Sequence, residues 1–262
     1  MCILFLALQQ HPKYPVIICA NRDEFHQRPT QKMHQWDKTN ILAGKDLQAG
    51  GTWLGLNSNG RFSALTNFRQ PATFNINKKS RGDLVLQALT NTNDDMASTL
   101  KTTYQHYNGF NLVYGALNNL HCFDSINNRH HQLTSGVHSI CNGALDDLWP
   151  KMQLGQQQLT AVITEHQSSS QQPLNIEKLF KIMSNDTQSL PEYLPKTGVS
   201  DDWEQMLSSI FIVSEKYGTR STVILTCDLD NNIEVHEQNY DKQGQKINKQ
   251  HFKLSEQFQR SE

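Results

Sequence analysis

No stretch of this chain approaches the ~18 consecutive apolar residues that a membrane-crossing helix needs, so no integral membrane segment is expected. An excess of basic charge is missing as well: 24 Lys and Arg stand against 25 Asp and Glu, for a formal net charge of -1. A nucleic acid or an anionic membrane would find no broad field to bind, and the expected partner is a small molecule. There is no Cys-x-x-Cys pair. The five cysteines, Cys2, Cys19, Cys122, Cys141 and Cys227, are odd in number and widely spaced, which argues for reduced thiols and against a disulfide framework or a zinc site. The 11 histidines are scattered, and the adjacent pair His130 and His131 would point to opposite faces of a strand. Neither a metal nor a cofactor is expected from that spacing. No basic region precedes the first apolar run and no small-residue cleavage site follows it. The start of the chain therefore reads as a strand rather than an export signal, and a cytoplasmic location is expected. A chain of 262 residues fits one domain, residues 1–262.

What is present begins at the second residue, where Cys2 opens the apolar run Ile3-Leu4-Phe5-Leu6-Ala7-Leu8. Removal of Met1, which a side chain as small as cysteine permits, would leave a thiol and its own α-amine on one residue. That is the minimal equipment of an N-terminal nucleophile: the thiol attacks an acyl carbon and the amine, which ordinarily titrates at about 8, acts as the adjacent base. Cys2 equally suits the first buried side chain of a core strand.

Cys2 to Leu8 and Val16 to Cys19 flank a turn from Gln9 to Pro15 and predict a hairpin buried on both faces, because neither run alternates with polar residues. Gly50 to Leu56 and Arg61 to Asn67, joined through Asn57-Ser58-Asn59-Gly60, predict a second hairpin. Leu84 to Tyr107 carries apolar residues at helical spacing and predicts one or two helices. A second helical region starts at Leu148-Trp149-Pro150-Lys151, with a soft middle around Ser168 to Pro173. Asn111 to Ala116, Leu120 to Phe123, Ser139 to Cys141, Ile210 to Ile212 and Thr222 to Thr226 read as further strands. From Asn231 onward the chain alternates only weakly. Strands, then helices, then strands again favour an α+β fold: two antiparallel sheets with helices on their outer faces.

Asn21-Arg22-Asp23-Glu24 follows directly on the second strand. Antiparallel pairing would bring Arg22 and Asp23 beside Cys2, where a cation favours the thiolate and a carboxylate orients an amine. A turn with a surface ion pair is the competing reading. Asn142, between Cys141 and Gly143, suits an oxyanion donor and also an ordinary turn. Arg220 would hold a carboxylate, tune the thiol or serve a structural ion pair. Trp53, framed by glycines, suits a pocket wall or the core.

Together with Arg28-Pro29, Gly50-Gly51-Thr52-Trp53-Leu54-Gly55, Thr66-Asn67, Ser80-Arg81-Gly82, Gly109-Phe110-Asn111-Leu112, Leu148-Trp149-Pro150-Lys151 and Tyr217-Gly218-Thr219-Arg220-Ser221-Thr222-Val223, these segments resemble the NRDE family, also called the transport-and-Golgi-organisation family. The resemblance runs nearly the whole chain. It implies a four-layer αββα sandwich of the N-terminal nucleophile hydrolase kind, similar to the bile-salt hydrolases and penicillin V acylases that begin Met-Cys and cut non-peptide amides. It further implies Cys2 as nucleophile and base, Arg22 and Asp23 as its assistants, Asn142 near the oxyanion and Arg220 as the late arginine. Asn21, Glu24, Trp53 and Asn67 are then expected around the substrate. Those acylases space the pair as Arg-x-x-Asp whereas Arg22 and Asp23 are adjacent, so Glu24 is an alternative acid. The family's association with the secretory pathway, lipid metabolism and haem trafficking keeps a second expectation: a non-catalytic carrier of a hydrophobic ligand such as haem or acyl-CoA.

Overall fold

The computed structural model describes residues 2–168 and 173–254. In chain order the elements are β1 (Cys2–Leu8), β2 (Val16–Phe25), β3 (Thr30–Gln35), β4 (Ile41–Asp46), β5 (Leu54–Asn57), β6 (Arg61–Asn67), α1 (Gly82–Thr90) and α2 (Asn93–Thr103). Then follow β7 (Phe110–Ala116), β8 (Asn119–Asp124), β9 (Arg129–Gln132), β10 (Gly136–Ile140), α3 (Pro150–Ser168), α4 (Ile176–Met183), α5 (Asp201–Met206), β11 (Tyr217–Cys227), β12 (Ile233–Tyr240) and β13 (Lys246–Leu254). The strands form one sheet in the order β10-β1-β2-β11-β12-β13 and a second in the order β3-β4-β5-β6-β7-β8-β9, with antiparallel neighbours throughout.

The lack of alternation in β1 has a direct cause. Leu4, Leu6 and Leu8 meet Leu54, Leu56 and Phe62 between the sheets, while Ile3, Phe5 and Ala7 meet Leu159, Ile163 and Leu179 of α3 and α4 on the outer face. A strand covered on both faces must be apolar at every position. On the far side, Leu84, Val85, Ala88 and Leu89 of α1, with Met96 and Leu100 of α2, cover Leu65, Leu112 and Tyr114. The result is helix, sheet, sheet, helix, the α+β layering expected from the order of elements. Gly155 shows how closely the outer layer sits: a Cβ there would overlap the Phe5 ring. Among the described residues no helix is long and apolar enough to cross a membrane.

Helix ends follow the local chemistry. Thr92 caps α2 by accepting from the Asp95 N–H, Asn175 caps α4 by accepting from Glu177 and Lys178, and α3 starts at Pro150, which needs no N–H there. The long helical region thus divides into α1 and α2. The soft middle expected around Ser168 to Pro173 lies largely outside the described residues.

Ile210 to Ile212, expected as a strand, is instead a buried turn. It is held by side chains and single backbone bonds rather than a ladder: Ile210 O accepts from Asn21, Phe211 N–H donates to Asn185 O, and Ile212 N–H donates to Thr219 Oγ1. A short apolar run marks burial, and burial alone does not distinguish a strand from a loop pressed on the core.

Candidate active site

The register of β1 on β2 sets Cys2 directly opposite Arg22. Side chains alternate along a strand, so Cys2 and Arg22 face the gap between the sheets, whereas Asn21 and Asp23 face the outer layer. The gap opens here into a cleft of about 460 Å³ whose lining includes Cys2, Arg22, Glu24, Trp53, Asn67 and Arg81. Cys2 is 6 % exposed, and its thiol accepts a hydrogen bond from the Asp23 backbone N–H. Burial, aided by the Asp23 charge and opposed by Arg22, pushes the thiol up to about 11. Thiolate is scarce at neutral pH under those conditions, so attack by this sulfur needs a base to take its proton.

Arg22 is buried, with Nη2 4.0 Å from Glu24 Oε2 and with Nη1 lacking any hydrogen-bond partner among the described residues. Glu24 also approaches Arg28 at 3.8 Å, which puts its carboxylate on the cleft side. Asp23 is different. Its carboxylate accepts from Thr219 Oγ1 at 2.7 Å, and burial pushes it upward against the charge of Lys151, itself buried and donating to Leu207 O at 2.7 Å. The two candidate acids therefore occupy opposite faces of β2: Glu24 pairs with the arginines, and Asp23 reaches the thiol through its backbone.

Asn21, expected near substrate, does not line the cleft. Its amide donates to Met183 O and Ile210 O at 2.8 and 2.9 Å, and its carbonyl accepts from Thr222 Oγ1, tying β2 to the outer layer. Asn142 is set back from the cleft, with its Nδ2 donating to the Asn67 carbonyl at 2.8 Å. Trp53 and Asn67 do line the cleft. Arg220 is absent from that lining. The β11–β2 register shifts between Thr219 and Ser221, so Arg220 is the extra residue of a bulge and turns its Nη1 to the carbonyls of Phe25 and His26.

Sequence reasoning missed Arg81. It lines the cleft at the start of α1, donates to Gly109 O at 3.0 Å, and burial drives it down to about 10 despite the Glu24 charge. Gly51 packs against Gly82 so closely that a Cβ would lie 2.9 Å from the Gly82 carbonyl carbon, which lets the β4–β5 loop seat on this helix start. Ser80-Arg81-Gly82 signalled only a helix opening, because the partner wall lies about 30 residues away in sequence. Arg28, Lys45, Lys78 and Lys79 also line the cleft, so that with Arg22 and Arg81 six cationic residues line it beside the carboxylates of Glu24 and Asp46, while the Asp23 carboxylate turns to Thr219. An adjoining hollow of about 320 Å³ shares Glu24, Phe25 and Asn67 with the cleft and is walled by Trp203 and Tyr217. Phe25, Trp203 and Tyr217 meet there in tilted and edge-to-face contacts, with ring centroids 5.1 to 6.2 Å apart.

Two stacked antiparallel sheets between helical layers define an α+β protein of the four-layer αββα kind, here with a cysteine at the head of an inner strand opening on the cleft. The crystal structure of the C2A mutant of conjugated bile acid hydrolase from Clostridium perfringens superposes with a TM-score of 0.53 over 97 % of this chain and 92 % of that one, at 10 % identity, a likeness of fold alone. The chain belongs to the Transport and Golgi organisation 2 family, whose model matches residues 1–242. It is 31 % identical over 254 residues to the transport and Golgi organization protein 2 homolog of Bos taurus, covering 89 % of this chain and 91 % of that protein. To transport and Golgi organization protein 2 of Drosophila melanogaster it is 24 % identical, covering 91 % and 92 %.

Proposed function

We propose that this chain is an N-terminal cysteine hydrolase that cleaves a non-peptide amide or acyl bond of a small acidic substrate. The observation that carries the reading is the meeting of Cys2, Arg22 and the Asp23 backbone N–H at the floor of a cleft whose cations outnumber its acids. Removal of Met1 would leave the Cys2 α-amine as the base that the high thiol pKa demands. In the first step that amine takes the thiol proton as sulfur bonds to the substrate carbonyl carbon. The C–N bond then breaks, the leaving nitrogen takes the proton back, and a thioester remains. Water, deprotonated by the same amine, cleaves the C–S bond and releases the acid. The side-chain amide of Asn67 is assigned to the developing oxyanion, and Asn142 positions Asn67 from behind. Arg22 and Arg81 hold the anionic part of the substrate, while the aromatic hollow takes an apolar arm.

Two measurements test this. Intact mass of the untagged protein should lack one methionine, and Cys2→Ala should abolish turnover of any amide found by screening while leaving the fold intact. Retained Met1 would block the amine and remove the mechanism. The carrier reading uses the same cleft without the thiol. Unchanged ligand release by Cys2→Ala, with no hydrolysis product formed by the parent chain, would establish it instead.

A further inference from the structure

The far edge of the first sheet carries a constellation that the cleft does not use. In the β12–β13 register His236 stands directly opposite His251, and Glu234 lies two residues along β12, hence on the same face. One ligand atom from each of the three lies within 4.8 Å of the others. Glu234 Oε2 is 3.1 Å from His251 Nε2 and 3.6 Å from His236 Nε2. The His236 Nε2 atom is buried and has no hydrogen-bond partner among the described residues, a state that buried ring nitrogens seldom keep.

We propose that Glu234, His236 and His251 form a site for a divalent transition-metal ion of the borderline class to which zinc belongs, clamping the edge strand β13 to β12. Two imidazole nitrogens and one carboxylate oxygen are a donor set that zinc, nickel and copper accept, with water completing the shell. Lys253 approaches the other carboxylate oxygen, Oε1, at 3.1 Å and leaves Oε2 to the ion. The two rings lie parallel, their centroids 4.0 Å apart at an interplanar angle of 11°. His251, with its side chain 38 % exposed, is free to turn its ring to converge on the ion, while His236 is buried. β13 is paired on one side only, and its residues alternate between half-buried and exposed, so a cross-strand metal tie adds what the ladder lacks.

The test is calorimetric titration of the chelator-treated full chain with zinc sulfate at neutral pH, beside His251→Asn and the control His106→Asn. The site predicts one saturable zinc per chain. His251→Asn should lower zinc affinity by more than about 100-fold, beyond the ~10–100-fold that loss of an outer-shell partner costs, and His106→Asn should leave it unchanged. Hydrogen exchange of the β13 amides should slow on adding zinc to the parent and not to His251→Asn. Because His251 is exposed, its replacement leaves the fold intact, and equal melting temperatures of the two metal-free proteins verify this. Absence of saturable binding, or zinc stoichiometry and affinity unchanged in His251→Asn, overturns the proposal.

Discussion

Two arginines are almost equally buried, Arg22 at 5 % and Arg69 at 7 % exposure, and their surroundings could hardly differ more. Arg69 donates from Nη1 to Glu204 Oε2 at 2.6 Å and from Nη2 to Asn142 Oδ1 at 3.4 Å, and its guanidinium lies over the Trp149 ring at 5.2 Å. The second oxygen of Glu204 accepts from both the N–H and the hydroxyl of Thr197. Arg69 leaves its Nε without a partner among the described residues, but both its terminal nitrogens are engaged, whereas Arg22 has a 4.0 Å approach to Glu24 and leaves its Nη1 unpartnered beside the cleft. A buried charge costs stability unless its hydrogen bonds are made, so a protein keeps an unfilled guanidinium where something else completes it. The contrast separates an arginine locked into the fold by its partners from one left open toward the cleft, the arginine that the proposed function assigns to a ligand.

The largest effect that sharpens this contrast is on chemistry. Cys2→Ala should lower turnover by ~10⁴-fold or more, the scale of losing a nucleophile, with a urea midpoint close to that of the parent. Collapse of the fold in that variant would make Cys2 a core residue and nothing else. Next comes Arg69→Met, which leaves Glu204 buried without its cation and should destabilise by about 3–5 kcal/mol in urea unfolding. Arg22→Met should instead change stability by less than about 1 kcal/mol, since no close pair is broken, while weakening binding of an anionic substrate or analogue by roughly tenfold or more. Equal stability losses in the two variants would break the comparison.

The asymmetry between the two arginines is only half legible in the sequence. The β1–β2 hairpin, and with it the meeting of Cys2 and Arg22, follows from two continuous apolar runs and a short turn, all local features. The layering follows from the order of strands and helices. The strands β3 and β9 give no such signal, because Thr30–Gln35 and Arg129–Gln132 are polar and lie at the two edges of the second sheet, with little to bury. Asn21 stands beside Arg22 in one polar tetrapeptide, and only strand alternation with the carbonyls of Met183 and Ile210 above it shows that it belongs to the core. The bulge that removes Arg220 from the cleft leaves no mark in the sequence. Arg81, Lys78 and Lys79 reach the cleft from the segment before α1 and Lys45 from β4, all distant in the chain from Cys2. The His236–His251 juxtaposition likewise depends on a register that no spacing rule supplies.

A third arginine grades the comparison and gives its smallest expected effect. Arg28 has a side chain 31 % exposed and reaches Asp46 Oδ2 at 2.6 Å through Nη2. Burial works to raise the Asp46 carboxyl, but the hydrogen bond and charge of Arg28 and the Ala49 N–H outweigh it and hold the group below its ordinary value of 3.8. A carboxyl depressed by folding contributes stability that is complete above the unfolded value and disappears as pH falls through the folded one. Arg28→Met should therefore cost less than about 1 kcal/mol at neutral pH, as a solvent-screened pair does, and parent and variant should converge below pH 3.8 as Asp46 protonates in both. Urea midpoints of the two proteins across that range check the sign. A gap that persists into acid would mean that Arg28 stabilises through its aliphatic stem against the cleft wall. In that case its place in the series would rest on packing rather than charge.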